Sequence, residues 1–300
     1  MISPEECPFV SVVVPTRNRA DLLADCLASL LSQDYLADQF EIIIVDDGST
    51  DDTPALVRSL QQSSTGRTHY QAQSHQGVNA ARNRGIRAAR GALICFVDDD
   101  VDIPLGWLKA LVAAAFRHPQ AGCLGGMIRV RFEGRPPRSC PKELERSEGE
   151  LDYGSSEKPV HQVYGGNLML RRWAIDRIGP FRTGMSGPCD EIEWQRRLRR
   201  DGIEIVYVPS AWLWHRRTEA DLRRRLLVTK KFWQGVKYAS YMHILGEHLS
   251  VAEALWRLCR DALHAVRRRC FGGIMQAAWD IGFLWASLLC RSADPGSEKV

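Results

Sequence analysis

The 300-residue chain is 45% hydrophobic, 25% charged and 8% aromatic, proportions that exclude fibrous, collagen-like and wholly disordered classes. Its net charge of +4 is unevenly spread. Residues 216–269 carry 13 Lys/Arg against 5 Asp/Glu, whereas residues 1–215 carry 25 against 28. The nine cysteines are scattered and never spaced as Cys-x-x-Cys, which argues against a disulfide framework and for a reducing, cytoplasmic setting. Residues 1–7 are acidic and interrupted by Pro4, unlike a signal peptide.

In chain order, residues 9–15 form an apolar, β-branched run that ends at Pro15 and predicts a buried strand. Leu22, Leu23, Cys26, Leu27, Leu30 and Leu31 then recur at helical spacing over 20–31. The strand signal returns at 41–45, followed by the polar turn 46–52 and a helix near 53–60. A third strand is expected at 68–72, a helix over 78–89 and a fourth strand at 92–97. Alternation of this kind predicts an α/β, Rossmann-like, mostly parallel sheet with helices on both faces, its polar strand ends gathered along one ligand-binding edge.

Residues 133–159 lose apolar periodicity and read as a long loop. A strand is expected over 163–170, helices over 171–178 and 190–200, and short strands at 204–208 and 211–214. From His215 to about Cys290 the pattern is helical. The expected division is therefore an α/β domain over 1–215 and a basic, amphipathic helical extension over 216–300.

Asp98, Asp99 and Asp100 close the fourth strand. Alternate strand residues share a side, so Asp98 and Asp100 can address one cation while Asp99 turns elsewhere. Oxygen ligands of this kind suit Mg²⁺ or Mn²⁺, which in turn hold a diphosphate.

Four blocks follow one another: Val12-Val13-Val14-Pro15-Thr16-Arg17-Asn18-Arg19, Ile44-Val45-Asp46-Asp47-Gly48-Ser49-Thr50-Asp51, Gly77-Val78-Asn79-Ala80-Ala81-Arg82-Asn83-Arg84-Gly85 and Phe96-Val97-Asp98-Asp99-Asp100. With Gly165-Gly166-Asn167, Asp190-Glu191, residues 207–211 and His215, the chain over 9–215 resembles family 2 glycosyltransferases of the GT-A fold. The resemblance implies a nucleotide-diphosphate sugar bound at the strand ends, with Pro15, Thr16 and Arg17 lining the nucleoside pocket and Asp46 accepting hydrogen bonds from the base. It implies that Asp47 shapes the neighbouring turn, Arg82 and Asn83 neighbour the nucleotide, and Asp99 lies near the ribose. Asp98 and Asp100 would hold the metal, which His215 completes. Gly165 and Gly166 would let the donor sugar approach backbone, and Asn167 would hydrogen-bond it.

The general base implied by the resemblance is the second acid of a pair that opens a helix. Here the pair is Asp190-Glu191, with the side-chain lengths swapped, so Glu191 is the first choice by position and Asp190 the second. No Gln-x-x-Arg-Trp follows Trp194, which argues for transfer of a single sugar. The expected enzyme is an inverting, metal-dependent transferase acting on a saccharide or lipid-linked acceptor. The swap also leaves open a catalytically degenerate nucleotide-sugar binder or scaffold.

Basic residues interleave with Trp233, Trp256 and several Leu and Val in the C-terminal region. They fit helices lying on an anionic membrane surface, and hence a peripheral position at the inner face of the cell membrane, or equally a helical lid packed on the catalytic domain with a solvated basic face. Asp280 within 271–289 argues for an amphipathic helix there and against a membrane span. No nucleic-acid partner is expected, because the basic region carries no recognised module.

Overall fold

The computed structural model describes residues 8–63, 66–184, 190–244 and 250–292. They divide into two compact units. The first gathers described residues within 8–131, 149–184 and 190–216; the second gathers 132–148 and the described residues from 217 onward.

The first unit opens with β1 (Val10–Thr16), α1 (Ala20–Leu31), β2 (Phe40–Asp46), α2 (Thr53–Ser63), β3 (Thr68–Ala72), α3 (Val78–Ala88) and β4 (Leu93–Val97). These strands pair in parallel in the order β3-β2-β1-β4. β1, β2 and β4 are buried almost throughout, the environment that unbroken apolar runs require. α1 turns Leu23, Cys26, Leu27 and Leu30 into the core. A methyl group on Gly85 of α3 would overlap the Val13 side chain, so glycine is what lets α3 lie closely on β1.

Residues 101–132, to which the sequence pattern assigns no element, form β5 (Val101–Asp102), α4 (Trp107–Arg117) and β6 (Ala121–Phe132). Gly122, Gly125 and Gly126 hide the strand character of β6. A methyl group on Gly125 would overlap Val163, and one on Gly126 would overlap the Ala211 carbonyl, so close packing explains both residues. The expected loop over 133–159 contains α5 (Pro141–Ser147) and β7 (Lys158–Pro159). α5 carries one apolar anchor, Leu144, buried with Leu227, Phe271 and Met275; a single anchor leaves no periodicity to read.

β8 (Asn167–Arg171), α6 (Arg172–Ile178), α7 (Asp190–Arg200) and β9 (Glu204–Arg217) follow. β9 is one continuous strand where the sequence pattern suggests two. The sheet continues from β4 through β8, β6, β9 and β5, with β8 antiparallel to both β4 and β6. It is thus parallel across β3-β2-β1-β4 and antiparallel at the β4–β8, β8–β6 and β9–β5 pairings, a mixed sheet less parallel than expected. Single helical crossovers, which parallel neighbours require, link only the first four strands.

The second unit contains α5, α8 (Arg224–Ile244), α9 (Val251–Arg268) and α10 (Phe271–Ser292). Gly235 of α8 faces the Trp279 carbonyl and Gly282 of α10 faces that of Phe232, so two glycines let these helices cross closely. Buried Asp280 is 3.5 Å from Arg257. Among the described residues no helix is long and apolar enough to cross a membrane.

Candidate functional site

The sheet register assembles the acidic cluster. β5 pairs antiparallel with β9 so that Val101 faces His215, and the Arg216 N–H donates to the Asp100 carbonyl at 2.9 Å. His215 Nε2 therefore reaches 3.1 Å from Asp100 Oδ1. Asp98, Asp100 and His215 present ligand atoms within 4.8 Å of one another. Two carboxylates and an imidazole converging beside a third acid are a donor set that fits Mg²⁺ or Mn²⁺.

Asp99 points away from this cluster, but from the turn that follows β4 at Val97 and not from a strand as the alternation argument assumes. It accepts from Thr16 Oγ1 at 2.8 Å and from Arg19 Nη1 at 3.1 Å. The same Arg19 nitrogen stands 2.9 Å from Asp100 Oδ2, so one guanidinium bridges two of the three acids. Burial pushes Asp99 up to about 6, opposed by Arg19 and Thr16 and reinforced by Asp100 and Asp98. Sequence reasoning assigned Arg19 no role. Its place two residues after Arg17 in the first block was the available signal.

At the neighbouring strand ends, Pro15 and Thr16 close β1, and Asp46 closes β2. Asp46 accepts the Ser49 N–H at 2.7 Å and the Tyr70 hydroxyl at 2.6 Å. Asp47 takes Gln73 Nε2 at 2.7 Å and the N–H groups of Gln76 and Gly77 at 2.8 and 2.9 Å. His75 Nδ1 lies 2.7 Å from Oδ2, the oxygen that also accepts the Gly77 N–H, while Gln73 and Gln76 donate to Oδ1. Burial raises the Asp47 pKa, but these donors outweigh it and hold the group below the usual aspartate range. Arg17 lies 3.2 Å from His75 Nε2, which makes a relay from Arg17 through His75 to Asp47. Gly48, at φ 81°, makes the turn between these groups possible.

Pairing of Val97 with Asn167 sets Gly166 opposite Asp98. A methyl group on Gly166 would lie 2.5 Å from Asp98 Oδ2, and one on Gly165 would overlap the Arg82 guanidinium, so both glycines make room for charged side chains of this chain. Arg82 is buried, 3.2 Å from Asn79 Oδ1 and 3.7 Å from Glu191 Oε2. Glu191 Oε1 accepts the Gly165 N–H at 3.2 Å. Burial raises the Glu191 pKa; Arg82 and the Gly165 N–H pull against that rise and Asp98 adds to it. The side chain of Asp190 lies outside the described residues.

Two expectations change. Asn167 is fully buried; its amide nitrogen donates to the carbonyls of Met127 and Ala211 at 3.0 and 2.8 Å, and its oxygen accepts from Trp107 Nε1 at 2.9 Å. It is a brace between strands, with both amide N–H groups committed and no exposed surface. Asn83 likewise exchanges both amide groups with the Phe181 backbone, at 2.8 and 3.0 Å, and so anchors the 181 segment instead of facing a nucleotide.

The sequence profile described as glycosyl transferase family 2 matches residues 11–179. The validoxylamine A glucosyltransferase of Streptomyces hygroscopicus subsp. jinggangensis is 37% identical over 256 residues, covering 75% of this chain and 60% of the relative. The GalNAc(5)-diNAcBac-PP-undecaprenol beta-1,3-glucosyltransferase of Campylobacter jejuni is 35% identical over 135 residues, 43% of each chain. The chain thus spans less than two thirds of either relative. Among solved structures, the mannosyltransferase PcManGT of Pyrobaculum calidifontis, in complex with GDP-Man and Mn²⁺, superposes with a TM-score of 0.67. It is 18% identical, with 95% of this chain and 89% of that one covered, and it establishes the GT-A fold here.

Proposed function

Because this chain belongs to glycosyl transferase family 2, we propose that it moves one sugar, with inversion, from a nucleotide-diphosphate donor to a hydroxyl of a lipid-linked or surface saccharide. The observation that carries this reading is the convergence of Asp98, Asp100 and His215 beside Gly166, with buried Glu191 accepting the N–H of the adjacent Gly165. Asp98, Asp100 and His215 would hold Mn²⁺ or Mg²⁺, which when bound supplies Lewis-acid stabilisation of the leaving diphosphate.

The chain's own residues do the rest. Arg19 neutralises Asp99 and Asp100 from the side opposite His215, and Thr16 fixes Asp99 towards the ribose. The loops held by Asp46 and Asp47 shape the nucleoside edge, with Pro15 and Arg17 along it. Glu191 removes the proton of the acceptor hydroxyl as the new C–O bond forms and the bond to diphosphate breaks. Arg82 favours the ionised carboxylate that this task needs and lies close to the donor side.

The acceptor is reached at the inner face of the cell membrane. Support comes from α9, where Leu255, Trp256, Leu263 and Val266 are exposed while Ala254 and Asp261 face inward. An amphipathic helix with its apolar stripe outward, flanked by Arg267, Arg268 and Arg269, has the chemistry of an anionic lipid surface. The undecaprenol-linked acceptor in the name of the Campylobacter jejuni relative supports a lipid-linked acceptor here.

The test of the catalytic reading is Glu191→Gln beside Asp190→Asn, assayed for donor consumption and for donor binding. Glu191→Gln should lower kcat by about 10²–10⁴-fold with donor affinity kept. Full turnover in Glu191→Gln with loss in Asp190→Asn would move the base to Asp190. Turnover in neither variant nor the parent chain, despite donor binding, would favour the degenerate binder.

A further inference from the structure

Three side chains far along the chain from the acidic cluster converge within the second unit. Cys140 caps α5, His264 lies in the C-terminal part of α9, and Cys270 immediately precedes α10. Cys140 Sγ stands 3.4 Å from Cys270 Sγ and 3.6 Å from His264 Nε2, and all three donor atoms lie within 4.8 Å of one another. A tetrahedral zinc, bonded at about 2.3 Å to sulfur and about 2.0 Å to nitrogen, spaces two sulfurs by roughly 3.8 Å and a sulfur and nitrogen by roughly 3.5 Å. The cluster already lies within a few tenths of an ångström of both edges.

The surroundings suit bound thiolates. Cys270 Sγ receives the Cys140 N–H at 3.2 Å and has Ser139 Oγ at 3.6 Å. Ser139 Oγ in turn accepts the Gly272 N–H at 2.9 Å, and the Phe271 N–H donates to the Arg138 carbonyl at 2.9 Å. Hydrogen bonds of this type orient metal ligands and tune their basicity. His264 also lines a cavity of about 510 Å³ with Lys231, Asp261, Gly273 and Gln276, so solvent reaches the imidazole side of the cluster.

We propose that Cys140, His264 and Cys270 form a zinc site, completed by solvent, that staples residues 138–147 to the α9–α10 corner. Thiolates favour zinc over Mn²⁺ and Mg²⁺, whereas the carboxylates of Asp98 and Asp100 favour the harder ions, so one chain sorts two metals by ligand chemistry.

The experiment is metal analysis and Co²⁺ spectroscopy on the full chain. Purified protein should hold close to one zinc per chain, and cobalt exchange should give a sulfur-to-cobalt charge-transfer band. A carboxylate–imidazole site cannot produce that band, so it should persist in Asp98→Ala/Asp100→Ala and vanish in Cys140→Ser and Cys270→Ser. Ser139→Ala should weaken zinc affinity roughly 10-fold. The parent chain alone decides the matter if the cysteine variants fail to fold. Absence of the band in the parent chain, or a Cys140–Cys270 disulfide in a zinc-free protein, would overturn the proposal.

Discussion

At Asp47 a single buried carboxylate gathers Gln73, His75 and the N–H groups of Gln76 and Gly77, which ties the β3–α3 loop to the end of β2. Its pKa is depressed in the folded chain, so its contribution to stability is complete above the unfolded value of about 3.9 and disappears as pH falls through the folded value. Urea midpoints between about pH 5 and about pH 3 should therefore fall more steeply in the parent chain than in Asp47→Asn. Glu191 carries the opposite sign. Facing Arg82, Asp98, Cys123 and Tyr164, it is raised by burial, so the acid limb of kcat/KM should lie above the ordinary glutamate value of about 4.3 and be absent in Glu191→Gln. Asp46, Asp98, Asp100 and His215 were legible in the sequence because they follow or end strand-like runs, and Glu191 because it is the second acid of a pair opening a helix. The bracing of Asn167 and Asn83 was not, because partner choice for a buried amide is decided by tertiary neighbours that periodicity does not encode.

Among the elements, the first four strands and three helices follow from their patterns because each is either wholly buried or clearly one-faced. β6 and α5 escaped for opposite reasons. Glycines needed for close packing diluted the apolar signal of β6, and Leu144 is the one buried apolar anchor of α5. The α3–β1 contact offers a test of this packing argument. Alanine at Gly85 gains about 1 kcal/mol of helix propensity, but the added methyl meets Val13, whose branched side chain has little rotamer freedom. Overpacking of this kind costs about 1–3 kcal/mol, so Gly85→Ala should lower stability in urea unfolding with an unchanged m-value. A stabilised variant would show that α3 and β1 are less tightly packed than described.

For the whole chain, the charge asymmetry visible in the sequence coincides with the basic helices of the second unit, where α9 presents Trp256 and Val266 at 63% and 76% exposure. Binding to anionic vesicles at low salt, weakened by added salt and by Trp256→Glu/Val266→Glu, is the expected outcome in a flotation assay. A parent chain that stays wholly in the aqueous fraction would contradict the membrane reading while leaving the transferase site untouched. The central claim, a nucleotide-diphosphate sugar site built on Asp98, Asp100 and His215, is tested most directly by calorimetric titration of GDP and UDP, each with and without Mn²⁺. We expect one nucleotide to bind only with the cation, and its affinity to fall more than about tenfold in Asp98→Ala/Asp100→Ala. Binding of neither nucleotide, or binding unchanged in that variant, would contradict the account.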